Sequence, residues 1–169
     1  EEAYALRPHQ CHLAIAPTKN ADRIEWLGEK SIEIGIGHIS FLTCEHSERV
    51  KLDLDRLKRI AVSAIKQSNT TLIPSMQMID YKDFIINNKQ IENRYIAWCD
   101  EYNQREFAQE ELKNKDVILL IGPEGDFSPE EVSLAESNGY QAIKLGTRRL
   151  RTETAGLYGV CVYAGAQLM

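Results

Sequence analysis

Short apolar runs alternate along the chain with stretches in which apolar residues recur every three or four positions. That alternation is the pattern of an α/β domain, a mostly parallel sheet flanked by helices. The spacing predicts strands over residues 12–16, 38–42, 94–99, 117–121 and 141–145. The run VILLI at 117–121 is apolar without a break, as a strand buried on both faces requires, which puts it in the middle of the sheet. One helix is expected over 21–34, entered at Asn20 and stopped at Gly35. A second, over 53–68, sets Leu54, Leu57, Ala61, Ala64, Ile65 and Ser68 on one stripe.

After VILLI the chain reads GPEGDFSPEEVSLAESNG. Ser128 there is a helix cap, Pro129 takes the first helical position, Glu131 completes a capping box and Gly139 is the stop. A last helix runs to the end with Ala155, Gly156, Gly159, Ala164, Gly165 and Ala166, small enough to let another element approach closely. Residues 87–90 and 99–114 read as loops or weak helices, and no repeat or linker divides the 169 residues, so one domain is expected.

Composition changes this picture little: 43% hydrophobic and 27% charged residues exclude a disordered chain. The net charge of -5 excludes a strongly basic body, but it is unevenly spread. Residues 92–136 hold 12 acidic against 4 basic residues, leaving the remainder mildly basic. The run KLGTRRLR at 144–151 has four cations and no acid, and 51–66 has five cations against Asp53 and Asp55. A polyanion would be met there. Cysteines 11, 44, 99 and 161 form no CxxC pair for zinc or redox chemistry. With no basic start, no apolar leader and no uncharged run reaching the ~20 residues of a spanning helix, a cytoplasmic protein is expected.

Candidate chemistry sits where two glycine loops close consecutive strands on one side of the sheet. Gly122-Pro123-Glu124-Gly125 lies between the VILLI strand and a capped helix, the place where open α/β sheets bind ligands. Its glycines allow close approach of backbone to a ligand, and the helix start offers free N–H groups. By itself it is also an ordinary tight turn. The second loop, 145–156, reads LGTRRLRTETAG.

Together the two loops, with LR-TETAG at 150–156, resemble the carboxy-terminal signature of the RsmE-type 16S ribosomal RNA uridine-N3 methyltransferases of the SPOUT class. APTKN at 16–20, the helix end from Lys30, Ser47-Glu48-Arg49, Gln67-Ser68 and Pro74 extend the resemblance to nearly the whole chain. The resemblance implies a deep carboxy-terminal trefoil knot, which no pattern rule would produce. It implies S-adenosylmethionine held by Ile121, Gly122 and Gly125 of the first loop and Leu145, Gly146 and Leu150 of the second. Arg151 would stand by the reacting centre with Glu153 bracing it, while Ser47, Glu48, Arg49, Arg148 and Arg149 would face the RNA. It further implies a homodimer meeting near the last helix, no metal, and a PUA-like module before this domain, of which residues 1–11 would be the tail. Asp126 departs from the family, standing where many relatives have glycine; so does Thr147, where proline is common, and Trp98, where histidine is frequent.

Methyl transfer from a sulfonium asks mainly for alignment, which supplies ~7–11 kcal/mol when reacting atoms are held in near-attack geometry. Uracil N3 carries a proton, so charge spreads onto the flanking carbonyl oxygens as it leaves, and a guanidinium favours that anion. Arg151 is the candidate, with ~10²–10³ in rate at stake. The proton acceptor stays open between Glu153, a histidine and water. A plain ion pair between Arg151 and Glu153 is the bland alternative.

Histidines 9, 12, 38 and 46 lack ligand spacing, and His12 and His38 open apolar strands. Cys44, His46 and Ser47 cluster without the G-x-S-x-G elbow of a hydrolase, and Gly35-Ile36-Gly37 follows a helix rather than a strand. The rival functions are a non-catalytic RNA-binding module of the same fold and a methyltransferase acting on another RNA or a small molecule.

Overall fold

The computed structural model describes residues 9–70, 72–102 and 105–169. Its strands are β1 (Cys11–Ile15), β2 (His38–Thr43), β3 (Ser75–Asp80), β4 (Asn93–Ala97), β5 (Val117–Ile121) and β6 (Gln141–Ile143). Its helices are α1 (Ala21–Ile34), α2 (Leu54–Ser68), α3 (Tyr81–Asn87), α4 (Pro129–Ser137) and α5 (Thr152–Ala166), with a short 3₁₀ turn at Gln109–Glu111. The strands form one parallel sheet in the order β3-β2-β1-β5-β4-β6. This is the expected α/β class, with β5 in the middle and all five of its residues buried.

Because side chains alternate across a strand, β5 feeds two cores. Val117, Leu119 and Ile121 enter the layer shared with α1, α2 and α5, which contains Leu27, Leu57 and Val160. Ile118 and Leu120 enter the layer under α3 and α4, with Phe84, Phe127 and Ala135. The helix ends follow the sequence. Asn20 caps α1 by accepting from the Asp22 N–H, and Gly35 at φ 100° closes it. Asp53 caps α2, and the Ser128–Glu131 capping box opens α4 with both reciprocal bonds present.

Three differences from expectation matter. Strand β3 and helix α3 lie in a stretch with no predicted element; β3 is an edge strand, and Asp80 at its end directly caps α3. Strands β4 and β6 end early, at Ala97 and Ile143, so Trp98, Cys99, Lys144 and Leu145 leave the ladder and turn toward the cleft described below. The expected tail at 1–11 lies outside the described residues as far as residue 8, while Cys11 already belongs to β1.

Candidate functional site

Three loops meet at the carboxy-terminal ends of β1, β5 and β6. The first, 122–128, turns tightly: the Asp126 N–H donates to the Pro123 carbonyl at 2.8 Å. A side chain on Gly122 would meet the backbone nitrogen and ring of Phe127 at 3.1 Å, so the fold-back leaves little room for one there. Asp126 adopts φ 65°, the left-handed region that explains why glycine suits this position. Burial raises the Asp126 carboxyl above its ordinary range, opposed by the Phe127 N–H, Arg149 and His46. Glu131 anchors the loop from below, accepting from the N–H groups of Ser128 and Glu45.

The second loop, 144–151, bends at Gly146, φ 86°, and enters α5. There Thr152 Oγ1 donates to the Gly122 carbonyl at 3.1 Å, tying the two loops together. The third loop, 16–20, is held by Arg49, which donates to the carbonyls of Thr18 and Lys19. Lys19 in turn donates its N–H to Glu124 Oε1 at 3.0 Å and pairs through Nζ with Glu48 at 3.0 Å.

Between the first two loops lies a cleft of about 430 Å³, in the range of small-molecule sites. Its apolar lining includes Ala97, Ile121, Ile143, Leu145, Leu150 and Ala155. Exposed Arg148, Arg149 and Arg151 also line it and form no ion pair among the described residues. The Cys99 thiol there is pushed up by burial and by Asp126, against the pull of Arg149. No group of three or more His, Cys, Asp or Glu that would hold a metal occurs among the described residues.

A family model described as an RNA methyltransferase domain matches residues 6–163. The chain belongs to this RNA methyltransferase family. It is 34% identical over 152 residues to the ribosomal RNA small subunit methyltransferase E of Mesomycoplasma hyopneumoniae, covering 86% of this chain and 64% of that protein. The chain thus spans under two thirds of that relative's length. A crystal structure described as a probable rRNA-methyltransferase from Porphyromonas gingivalis superposes with a TM-score of 0.87 at 40% identity, covering 95% of this chain and 68% of the other. A structure assigned as a methyltransferase of Legionella pneumophila, solved with bound cofactor SAM, gives a TM-score of 0.83 at 30% identity over 94% of this chain and 67% of the other.

Within the methyltransferase domain, the cleft brings together Ile121, Gly122, Leu145, Gly146 and Leu150 of the expected cofactor set. Gly125 stands apart: it is exposed and backs onto the His46 side chain, which bonds the Gly125 and Asp126 carbonyls. Arg148, Arg149, Arg151 and Glu153 line the same cleft. Glu153 has a different partner from the one expected, since its ion pair is with Arg23 of α1 at 3.7 Å rather than with Arg151. Ser47 turns inward and accepts from the Cys44 N–H, while Glu48 and Arg49 brace the 16–20 loop.

Sequence reasoning missed Arg23 and gave no role to Thr152. Arg23 carries no sequence signal, whereas Thr152 lay within the quoted motif. The small residues of α5 also divide. Gly156 and Gly159 press on Ile15, Leu27 and Leu119 of their own core, so they serve internal packing.

No helix among the described residues is long and apolar enough to cross a membrane.

Proposed function

We propose that this domain transfers the methyl group of S-adenosylmethionine to N3 of a uridine in 16S ribosomal RNA of the small subunit, acting in the cytoplasm as a homodimer. The observation that carries this reading is the cleft bordered by the Thr152–Gly122 bond, with apolar walls and the exposed Arg148, Arg149 and Arg151 along it. Its family, and the relatives named for small-subunit rRNA methylation, support the choice of reaction.

S-adenosylmethionine supplies an electrophilic methyl on a positively charged sulfur. The residues fit such a ligand: the bare Gly122 backbone and the Leu145–Gly146 turn border the cleft, and Ile121 and Leu150 give it apolar walls. Gly125 shapes the same loop from its outer side. Arg151, at the mouth of α5, stabilises charge growing on the uracil oxygens as N3 gives up its proton. Arg148 and Arg149 meet phosphates, Glu48 and Arg49 hold the neighbouring 16–20 loop that borders the RNA path, and Ser47 steadies the turn they stand on through the Cys44 N–H. In this reading the first and second loops together form the family's deep carboxy-terminal trefoil knot.

The homodimer places the outer face of α5 at the seam. That helix buries Gly156, Gly159, Val160 and Tyr163 on its own core, yet leaves Tyr158 and Cys161 exposed.

The deciding experiment incubates the protein with small ribosomal subunits and donor labelled in the methyl group, then maps the product base. Label on uridine N3 supports the reading. Bound but unlabelled RNA gives the non-catalytic RNA-binding module instead, and label on another base or RNA corrects the target.

A further inference from the structure

One buried polar group in the cleft has incomplete bonding. Glu153, in the first turn of α5, is only 8% exposed. Its Oε1 stands 3.7 Å from Arg23 Nε, while Oε2 is buried with no hydrogen-bond partner among the described residues. Buried carboxylate oxygens are ordinarily bonded, because an unmet one keeps its desolvation cost without return. Glu153 is among the residues lining the cleft, which brings this unmet acceptor next to the space a ligand would fill.

The other carboxylates lining the cleft differ from Glu153: Glu124 is exposed and accepts from the Lys19 N–H through Oε1, and Asp126 is half-buried and accepts from the Phe127 N–H through Oδ1. His46 bonds the Gly125 and Asp126 carbonyls through Nδ1 and is not among the residues that line the cleft, and His12 and His38 sit at the amino-terminal ends of their strands, away from it.

We propose that Glu153 Oε2 accepts the N3 proton of the target uracil and is the general base of the methyl transfer. This rests on the function proposed above. In the step, the N3–H bond breaks and its proton passes to Oε2, leaving the electron pair on N3. That pair forms the N3–CH₃ bond as the S–CH₃ bond breaks, and the sulfur keeps the electrons and becomes neutral. Arg151, two residues before Glu153, meets the charge that spreads to the uracil oxygens, so anion stabilisation and base work come from one helix start. The charged groups sharing the cleft with Glu153 are Arg23 from α1, Glu124 and Asp126 from the first loop, and Arg148, Arg149 and Arg151 from the second; Lys144 pairs with Glu106.

The test is single-turnover methylation of small subunits by wild type, Glu153→Gln and Glu153→Asp across a pH series, with S-adenosylhomocysteine affinity measured for each. A general base is worth about 10²–10⁴ in rate, so Glu153→Gln should lose that much while holding S-adenosylhomocysteine within about twofold of wild type. The deficit should shrink as pH rises, because hydroxide then removes the proton. Glu153→Asp, which keeps a shortened carboxylate, should fall between and decides the matter if the glutamine variant does not fold. Activity of a variant near wild type, a deficit constant with pH, or a matching loss of S-adenosylhomocysteine affinity overturns the proposal. A wild type that labels no RNA fails the reading of function instead, and the two failures are thereby distinct.

Discussion

Thr152 Oγ1 and the Gly122 carbonyl, 3.1 Å apart and both buried, join the start of α5 to the first turn after β5. The bond lies across the seam between the two loops of the cleft, so it couples local stability to the shape of the site. Thr152→Val keeps the volume and removes the donor, leaving a buried carbonyl without a partner. That should cost about 1–3 kcal/mol. Thermal unfolding should show a lower Tm by about 2–4 °C per kcal/mol, and S-adenosylhomocysteine affinity should fall with it. Unchanged stability and affinity would remove the bond from any role in forming the cleft.

Asp126 carries two separable costs. Its φ of 65° strains an L-residue, and burial raises its carboxyl, meaning the folded state holds the proton more tightly than the unfolded chain does. The corresponding stability is present at low pH and lost as pH rises through the raised value. Asp126→Asn tolerates the left-handed backbone, can still accept from the Phe127 N–H and removes the charge. It should therefore raise Tm near neutral pH and not below about pH 4. An equal gain at both would assign the cost to the backbone alone.

Tyr158 faces away from the core of its own domain and is 47% exposed. Tyr158→Glu should convert a dimer to a monomer in sedimentation at micromolar concentration without lowering Tm by more than a surface change does. Gly159→Glu is not an equivalent probe, since any side chain there runs into Leu119 and would damage the core first. A monomeric wild type would end the homodimer reading.

What was legible in the sequence follows from how strongly each element signals itself. VILLI could be placed in mid-sheet because continuous burial leaves no polar residue in the run, and the Ser128 box because capping is written in four adjacent residues. Strand β3 was not legible: SMQMID is an edge strand whose burial is partial, and it owes its form to pairing with β2 rather than to its own propensity. Helix α3 is seven residues long and begins where β3 stops, which leaves no turn signal between them. In the site, the two glycine loops were visible as local motifs. The Arg23–Glu153 pair was not, because it joins residues 130 positions apart through the packing of α1 on α5.

His12 gives the fold a dependence on acid that is independent of the cleft. Its Nε2 is 2.8 Å from Ser40 Oγ, and its ring lies edge-on to Phe84 at 5.1 Å and 5.3 Å from that of His38. Burial, reinforced by His38, lowers its pKa to about 4 from the ordinary 6.5. Between those values the unfolded chain binds a proton that the folded protein refuses, so stability falls as pH drops through the window and is fully present above it. The loss is at most about 3 kcal/mol, and less to the extent that water reaches the ring. His12→Gln retains a polar partner for Ser40 but cannot titrate. Its urea midpoint should change less between neutral pH and the lower end of the window than that of wild type, even where its stability at neutral pH is lower. Parallel slopes for the two proteins would place the acid sensitivity elsewhere.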